Sequence, residues 1–358
     1  MSVTNPTTPP DALHLTIARR IASTICRAAL VAAVLAILPS SSAVAAVAQK
    51  DQGRKNMKSI RFMKRDIKMA GNLYFPDGFK ESGKYPAIVV VHPGGGVKEQ
   101  TAGLYAEKMA EQGFVTLAFD AAYQGESGGE PRLLEDPTSR VEDVSSAVDY
   151  LTTLGYVDAN HIGALGICAG SGYTIKASTL DRRIKTVATI SAVDTGAAAR
   201  KGWTGTAPVS EQIATLEAVA VERTAEAHGA KPKYAEYVPE VVDSTTHRDM
   251  KEAHDYYRKP PYMKSSAPNK MLFTSLGRML AFTGFDQVDT LLTQPLLIIA
   301  GSEAGSLWHS KELYAKAKTD KKELFIIEGA THMDLYVGPH VAQALQKLAP
   351  FFKQNLGS

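Results

Sequence analysis

A glycine-flanked cysteine between a strand-like and a helix-like segment constrains the fold of this chain more than any other feature. Cys168 lies between the apolar run "HIGALGI" and the helical pattern "AGSGYTIKASTL", with Gly166 and Gly170 two positions before and after it. Glycines at these places let a strand turn sharply into a helix, because neither carries a Cβ atom that would collide with the other element. The pattern predicts that the Cys168 side chain projects from a strand end at a helix N-terminus.

Strand-like and helix-like segments alternate through most of the chain. The segment "YPAIVVVH" has five apolar residues without alternation, which is typical of a strand covered on both faces. The runs "FVTLAFD", "IKTVATI" and "PLLIIAG" are also strand-like, and helical patterns separate them. This alternation predicts an α/β fold, with a mainly parallel sheet flanked by helices.

The alternation stops in the middle of the chain. Residues 195–294 are helical in pattern and rich in tyrosine, so we interpret them as a helical cap inserted into the sheet domain. The core then consists of residues 59–194 and 295–358. The alternative is a side subdomain that never contacts substrate, since only some segments of this kind carry function.

The first 48 residues have the order of a secretory signal. Three arginines precede the apolar run "AALVAAVLAIL", and Ala-x-Ala sites end at Ala45 and Ala48. We therefore predict a signal peptide over residues 1–48, a polar linker over 49–58, and a periplasmic or secreted protein. A membrane-anchored form is the alternative, but the apolar run is short for a bilayer. The paired arginines resemble a twin-arginine signal only weakly.

Charge and cysteine usage narrow the function classes. The chain has 40 Lys and Arg against 37 Asp and Glu, and the leader accounts for three arginines and Asp11. The remaining 37 and 36 give a net charge of +1, which predicts no nucleic-acid partner. Cys26 leaves with the leader, so Cys168 would be the only cysteine of the mature chain. A lone cysteine is either a reactive thiol or a small buried residue.

A nucleophile at Cys168 needs a base, and His332 is the histidine best placed to serve. It follows the last predicted strand in "IIEGATHMD". Loops at the carboxyl ends of parallel strands converge over one crevice, so we expect His332 and Cys168 to meet there. His92 also ends a strand, but its "HPGGG" context favours a structural or oxyanion-loop role. The helix N-terminus after Cys168 is expected to lower the thiol pKa.

An oxyanion hole can be predicted from two loops. The amide of Ala169, directly after the cysteine, would supply one donor. Gly94 or Gly95, in the glycine loop after an earlier strand, would supply the second. The alternative is that these glycines only form a tight turn.

The acid that would orient the histidine is ambiguous. It should lie between nucleophile and base in chain order, commonly in the loop after "PLLIIAG". That loop contains no aspartate, and Glu303 is its only carboxylate. Asp194, at the end of "TISAVD", is the alternative, and a dyad without an acid is another. Asp334 is expected to cap the helix that follows it.

With "HPGGG", "GICAG", "GSEAG" and "GATHMD" in this order, the chain resembles the α/β-hydrolases. It is most similar to their dienelactone-hydrolase-like branch, whose members also use a cysteine in Gly-x-Cys-x-Gly. The resemblance covers most of residues 60–355 but is poor across the insertion. It implies that Cys168 is the nucleophile and His332 the base, and that esters, lactones or thioesters are hydrolysed without a cofactor. In that branch an aspartate usually stands within the loop at residues 301–305, where this chain has none.

The prediction is therefore an exported enzyme that cleaves a small-molecule carboxylic ester or lactone through an acyl-enzyme intermediate. A thioesterase or acyltransferase is an alternative, as is a non-catalytic binding protein on the same fold. No metal is expected, because no cluster of His, Cys or carboxylate has ligand spacing. Tyr123, Glu126 and Arg132, in the loop after "FVTLAFD", are expected to face the crevice, either as pocket residues or as solvated loop residues. The sequence leaves the oligomeric state open.

Overall fold

The computed structural model describes residues 56–357, so the predicted signal peptide and most of the predicted linker lie outside the described residues. This part of the chain contains ten strands. They are β1 (Met57–Lys64), β2 (Ile67–Tyr74), β3 (Tyr85–Val91), β4 (Val115–Phe119), β5 (Val157–Ile167), β6 (Ile184–Ile190), β7 (Tyr234–Ala235), β8 (Met271–Leu272), β9 (Leu296–Gly301) and β10 (Lys322–Ile327).

Ten α-helices and one short 3₁₀ helix accompany the strands in residues 56–357. The α-helices are α1 (Thr101–Ala110), α2 (Pro137–Thr152), α3 (Ala169–Leu180), α4 (Thr195–Lys201), α5 (Val209–Ala227), α6 (Arg248–Arg258), α7 (Ser275–Ala281), α8 (Val288–Leu291), α9 (Leu307–Lys316) and α10 (Pro339–Leu356). The 3₁₀ helix spans Met333–Leu335. None of the helices in the described range is both long and apolar enough to cross a membrane.

Eight of the strands form one sheet in the order β1-β2-β4-β3-β5-β6-β9-β10. β1 pairs with β2, and β2 with β4, in antiparallel register. Every other neighbouring pair in this sheet is parallel. The predicted fold class, a mainly parallel sheet flanked by helices, is confirmed.

The central strands have apolar residues at successive positions because both faces of the sheet are covered. On β3, Ile88 and Val90 pack in the core on the face of α1 and α10. Ala87 and Val89 point to the opposite face, where they pack with α2 and α3. Successive side chains of a strand alternate between faces, so a strand buried on both sides is apolar throughout.

Between β6 and β9 the chain leaves the sheet. Helices α4 to α8 and the two-stranded β7–β8 pair fall within residues 195–294, which we call the cap. The Asp194 carboxylate ties both ends of the cap to the end of β6. Its Oδ1 atom accepts hydrogen bonds from the amides of Gly196 and Ala197 at the start of α4, and its Oδ2 atom accepts one from Gly284 at 3.0 Å.

Candidate active site

Cys168 occupies a strained turn between β5 and α3. Its backbone has a φ of 53° and a ψ of −122°, a conformation that non-glycine residues rarely adopt. A Cβ atom on Gly166 would lie 2.5 Å from Cα of Ser171, and one on Gly170 would lie 2.4 Å from the carbonyl oxygen of Val91. The two glycines are therefore needed because backbone passes directly beside them, as the sequence argument proposed.

Two backbone amides point at the Cys168 thiol. The amides of Ala169 and Gly94 both lie within hydrogen-bonding reach of it, so the glycine loop after β3 and the start of α3 meet over the cysteine. Gly95 has a different position: its φ is 69°, and a Cβ atom there would lie 2.6 Å from the Tyr237 ring of the cap. Of the two predicted glycines, Gly94 presents its amide to the thiol and Gly95 turns the loop beneath the cap.

His92 supports this loop and is not available as a base. Its Nδ1 atom lies 2.7 Å from the Pro93 carbonyl oxygen, and its Nε2 atom accepts a hydrogen bond from the Ala121 amide at 3.1 Å. Burial, together with the nearby Arg140 guanidinium, lowers the pKa of His92 well below its usual value. The ring is neutral and both nitrogens are engaged, so His92 has a structural role.

His332 follows β10 and is buried beside the cysteine. Its Nε2 atom lies 3.3 Å from the hydroxyl oxygen of Tyr336, and that hydroxyl also forms a hydrogen bond with the Cys168 thiol. Its Nδ1 atom lies 2.6 Å from the hydroxyl oxygen of Ser306, in the segment between β9 and α9. Tyr336 therefore connects the predicted nucleophile to the predicted base, and Ser306 holds the far side of the imidazole.

The resting site combines a neutral thiol with a neutral imidazole. Burial raises the pKa of Cys168 and outweighs the hydrogen bonds from Tyr336 and the two amides, which favour the thiolate. Burial also lowers the pKa of His332 to about 4, although the Asp249 carboxylate acts in the opposite direction. The expectation that a helix N-terminus would lower the thiol pKa is wrong here. The desolvation of the thiolate destabilises it more than the hydrogen-bond donors stabilise it.

Neither carboxylate predicted as the acid is engaged with His332. The Glu303 carboxylate is half exposed and lies 3.1 Å from the Arg248 guanidinium at the start of α6. Asp194, as described above, accepts hydrogen bonds from the backbone of the cap. The assignment of Glu303 is therefore corrected: the loop after β9 turns this side chain outward and presents Ser306 to the imidazole. Asp334 also differs from expectation, because it accepts a hydrogen bond from the Thr331 amide and closes the turn that carries His332.

A third carboxylate, Asp249, lies in the site, and no sequence pattern marked it. Its side chain is fully buried at the N-terminus of α6 and lines the same cavity as Cys168 and His332. The Oδ2 atom accepts hydrogen bonds from the Trp203 indole and the Gly305 amide, both at 2.8 Å. Among residues 56–357 the Oδ1 atom has no hydrogen-bond partner. The Trp203 ring packs edge-on against the His332 ring, with the centroids 4.8 Å apart.

A largely apolar cavity of about 270 Å³ opens beside Cys168, with walls from both the core and the cap. Its polar groups are few and include the thiol, the imidazole and the Asp249 carboxylate. Five aromatic side chains and four methionines line much of the remaining wall, with small side chains between them. The four methionines are Met250, Met271, Met279 and Met333.

Another buried polar group, Glu135, joins this cavity to the core. One carboxylate oxygen accepts a hydrogen bond from the Tyr173 hydroxyl and the other from the Tyr237 hydroxyl of the cap, both at 2.6 Å. The Arg140 guanidinium lies 3.6 Å from Glu135 and donates a hydrogen bond to the His92 carbonyl oxygen. Glu135 therefore ties the cap to the glycine-loop side of the site.

The loop after β4 is held by its own contacts. Arg132 donates a hydrogen bond to the Gly125 carbonyl oxygen, and Glu126 pairs with Lys98 at 3.2 Å. Tyr123, Glu126 and Arg132 are not among the residues that line the cavity within the described range. In that same range, no three His, Cys, Asp or Glu side chains are grouped so that they could hold a metal ion.

A mainly parallel sheet with a sharp strand–helix turn after β5 and a histidine after the last strand defines the α/β-hydrolase fold. The chain belongs to the X-Pro dipeptidyl-peptidase (S15) family, whose sequence profile matches residues 66–334. The predicted superfamily is thereby confirmed, whereas the matching family differs from the dienelactone-hydrolase-like branch named above.

Three relatives illustrate the range of similarity. The chain is 46% identical to the uncharacterized protein YcjY of Escherichia coli K12, over 81% of this chain and 95% of the relative. The crystal structure of the hypothetical protein PA2218 from Pseudomonas aeruginosa superposes with a TM-score of 0.80 at 33% identity, over 85% of this chain and 95% of the other. The thiohydrolase aneE of Aspergillus aculeatus is 25% identical over 81% of this chain and 90% of the relative.

Proposed function

We propose that this protein hydrolyses carboxylic esters, lactones or thioesters of small, mainly apolar acyl groups, with Cys168 as the nucleophile. The observation that carries the proposal is the convergence on one thiol of two backbone amides and a tyrosine–histidine pair. Oxyanion donors and a base directed at a single nucleophile are the parts that acyl transfer requires. The similarity to a thiohydrolase supports thioesters as one substrate class.

In the acylation step, the Cys168 sulfur attacks the carbonyl carbon, and the π electrons move to the carbonyl oxygen. The amides of Ala169 and Gly94 stabilise the negative charge on that oxygen. The thiol proton passes to the Tyr336 hydroxyl, which at the same time gives its own proton to Nε2 of His332. The imidazolium then protonates the leaving alcohol or thiol as the carbonyl re-forms, which leaves the acyl group on the cysteine.

Deacylation uses the same groups with water as the nucleophile. His332 accepts a proton from water, and the hydroxide attacks the acyl carbon. The second tetrahedral intermediate collapses with release of the carboxylic acid, and the imidazolium returns a proton to the Cys168 thiolate through Tyr336. Because burial raises the pKa of Cys168, the thiol depends on His332 for its activation.

The cavity suggests which acyl groups fit. Its volume of about 270 Å³ and its mainly apolar wall favour a small, uncharged acyl chain. Methionine side chains are unbranched and flexible, so they adapt to acyl groups of different shape. We expect the highest kcat/KM for short to medium apolar acyl chains and a poor rate for acyl chains that carry a carboxylate.

The test is a panel of p-nitrophenyl esters, lactones and N-acetylcysteamine thioesters, assayed with the wild type and with Cys168→Ala. We expect Cys168→Ala to lose at least about 10³-fold in kcat, because a nucleophile cannot be replaced by its surroundings. In the uncleaved chain, Cys26→Ser removes the other cysteine and should retain activity. Mass spectrometry should find the acyl group on the Cys168 peptide. Undiminished hydrolysis by Cys168→Ala would refute the proposal.

The predicted signal peptide adds a location to this proposal. We propose that the enzyme is exported and acts outside the cytoplasm, because the order of charged, apolar and small residues before residue 49 is that of a cleaved leader. N-terminal sequencing of protein from the periplasmic and culture fractions tests this directly. Recovery of the uncleaved chain in the cytoplasm alone would contradict it.

A further inference from the structure

The imidazole of His332 is oriented by a neutral group. Its Nδ1 atom is bonded to the Ser306 hydroxyl, and the Glu303 carboxylate of the same loop is paired at the surface with Arg248. The proposed mechanism nevertheless requires His332 to become a buried imidazolium. A buried cation without a nearby negative charge is costly, so a compensating charge must come from another element.

Asp249 is the carboxylate that the structure supplies. It reaches the site from α6 of the cap, and its Oδ2 atom is held by the Gly305 amide and the Trp203 indole. The Oδ1 atom is buried, has no hydrogen-bond partner among residues 56–357, and belongs to a side chain that lines the cavity with His332. The Oδ2 atom is therefore held in place by hydrogen bonds, and the Oδ1 atom is left to interact with a charge formed in the cavity.

The position of Gly305 accounts for how this carboxylate is accommodated. A Cβ atom on Gly305 would lie 2.8 Å from the Trp203 indole nitrogen and 2.8 Å from the His247 ring. A side chain at position 305 would therefore displace the tryptophan that holds Asp249. The loop after β9 has a glycine at this point, and the Gly305 amide binds the Asp249 carboxylate of the cap.

We propose that Asp249 is the electrostatic partner of His332, so that the cap delivers the charge that the loop after β9 does not. This inference rests on the proposed hydrolase function. Asp249 is a positioning residue: it makes and breaks no bond, and it stabilises the imidazolium formed when Nε2 of His332 takes the proton. The active site is then complete only with the cap seated on the core.

The other groups facing His332 do not supply this charge. His309, on α9, is kept neutral because burial lowers its pKa to about 3. Tyr336 and Cys168 are neutral at rest, since burial raises the pKa of both. Glu252, the next carboxylate along α6, does not line this cavity: it bonds to Thr331 and lies 4.0 Å from the Arg248 guanidinium.

The variant Asp249→Asn removes the charge and keeps an oxygen that can accept from Trp203 and Gly305. We expect kcat/KM for a short ester to fall by about 10- to 100-fold with little change in KM, because the ion pair forms only when the histidine is protonated. The acid limb of the pH profile should move to lower pH, since a carboxylate raises the pKa of a neighbouring histidine and its loss lowers it. Asp255→Asn, on an exposed position of the same helix, and Glu303→Gln should leave the limb in place.

Moving the carboxylate to another position provides an independent test. In the Asp249→Asn background, Ser306→Asp places a carboxylate at the Nδ1 side of His332 and should restore at least about tenfold in kcat/KM. The His332 ring resonance, assigned with His332→Gln, should titrate at lower pH in Asp249→Asn than in the wild type and recover in the double variant.

Three outcomes separate this inference from the proposed function. If Cys168→Ala is inactive while Asp249→Asn keeps the wild-type rate, acid limb and His332 titration, the role of Asp249 is refuted and the hydrolase proposal stands. If Asp249→Asn loses activity but neither the limb nor the titration moves, Asp249 only maintains the pocket and the inference is also overturned. If Cys168→Ala retains activity, the proposed function itself fails.

Discussion

The hydroxyl oxygen of Ser306 lies 2.6 Å from Nδ1 of His332, on the side of the imidazole where a carboxylate usually lies in enzymes of this fold. A carboxylate can only accept a hydrogen bond, so it fixes the proton on Nδ1 and leaves Nε2 free to act as a base. A serine hydroxyl can donate or accept, and it carries no charge. In this protein the two tasks of the acid are divided: Ser306 contacts the imidazole, and we propose that Asp249 supplies the charge.

Removing the Ser306 hydroxyl should weaken activity without abolishing it. Ser306→Ala leaves a buried imidazole N–H without its partner, a loss of about 1–3 kcal/mol and hence about 5- to 150-fold in kcat. Ser310→Ala is the matched control, because Ser310 is equally buried and its hydroxyl has no hydrogen-bond partner among the described residues. Steady-state kinetics of the two variants are to be compared, and equal effects would show that Ser306 serves packing alone.

The thiol of Cys168 should react slowly with alkylating agents at neutral pH. Burial raises its pKa, so the rate of iodoacetamide labelling should increase with pH beyond the midpoint of a free thiol, near ~8.5. Tyr336→Phe removes a donor to the thiolate and should move the midpoint higher. In the uncleaved chain, a Cys26→Ser background restricts labelling to Cys168, and N-acetylcysteine serves as the reference. Rapid labelling at pH 6 would mean that the helix N-terminus outweighs burial.

Acid should destabilise the fold through its buried histidines. The pKa of His332 is lowered to about 4, that of His309 to about 3 and that of His92 well below its usual 6.5. The unfolded chain therefore binds these protons first, so the stability is complete above pH 6.5 and falls as the pH decreases toward 4. His332 alone contributes roughly 3 kcal/mol to this loss.

Urea denaturation from pH 7.5 to 4 measures this effect. In His309→Gln, one of the three proton-linked contributions is gone, so its free energy of unfolding should depend less steeply on pH than that of the wild type. Parallel curves for the two proteins between pH 6.5 and 4 would contradict the assignment of His309 as a buried neutral histidine.

The glycine after the cysteine should not tolerate a side chain. Gly170→Ala places a methyl group 2.4 Å from a backbone oxygen of β3, so either the strand or α3 must move, at a cost of about 1–3 kcal/mol or more in unfolding free energy. Gly155→Ala is the control, because a Cβ atom there meets nothing within 4 Å, and it should change stability by less than about 0.5 kcal/mol. Thermal denaturation of both variants checks the prediction, which fails if the two variants have the same Tm.

Local pattern was enough to predict the surroundings of the cysteine. The strand before Cys168, the helix after it and the need for Gly166 and Gly170 all follow from a few consecutive residues, because backbone sterics act over short distances. The loops that carry Gly94 and His332 were expected at the same sheet edge, since parallel strands bring their carboxyl ends together. The contact between Tyr336 and His332 could also have been predicted. Tyr336 lies four residues after His332, a spacing that brings two side chains together in a helical turn.

The order of strands and helices in the core, the turn at Cys168 and the sheet edge where His332 lies could all be predicted from the sequence. Which groups contact the imidazole, and where the charges of the site lie, depends on tertiary packing. Glu303 was predicted because it is the only carboxylate in the loop after β9, but it pairs with Arg248, and Asp249 reaches the site from a distant helix of the cap. Burial also reversed the expected direction of the thiol pKa. Short-range steric constraints can be inferred from neighbouring residues. The charge partners and the desolvation of ionisable side chains depend on how distant segments of the chain pack together.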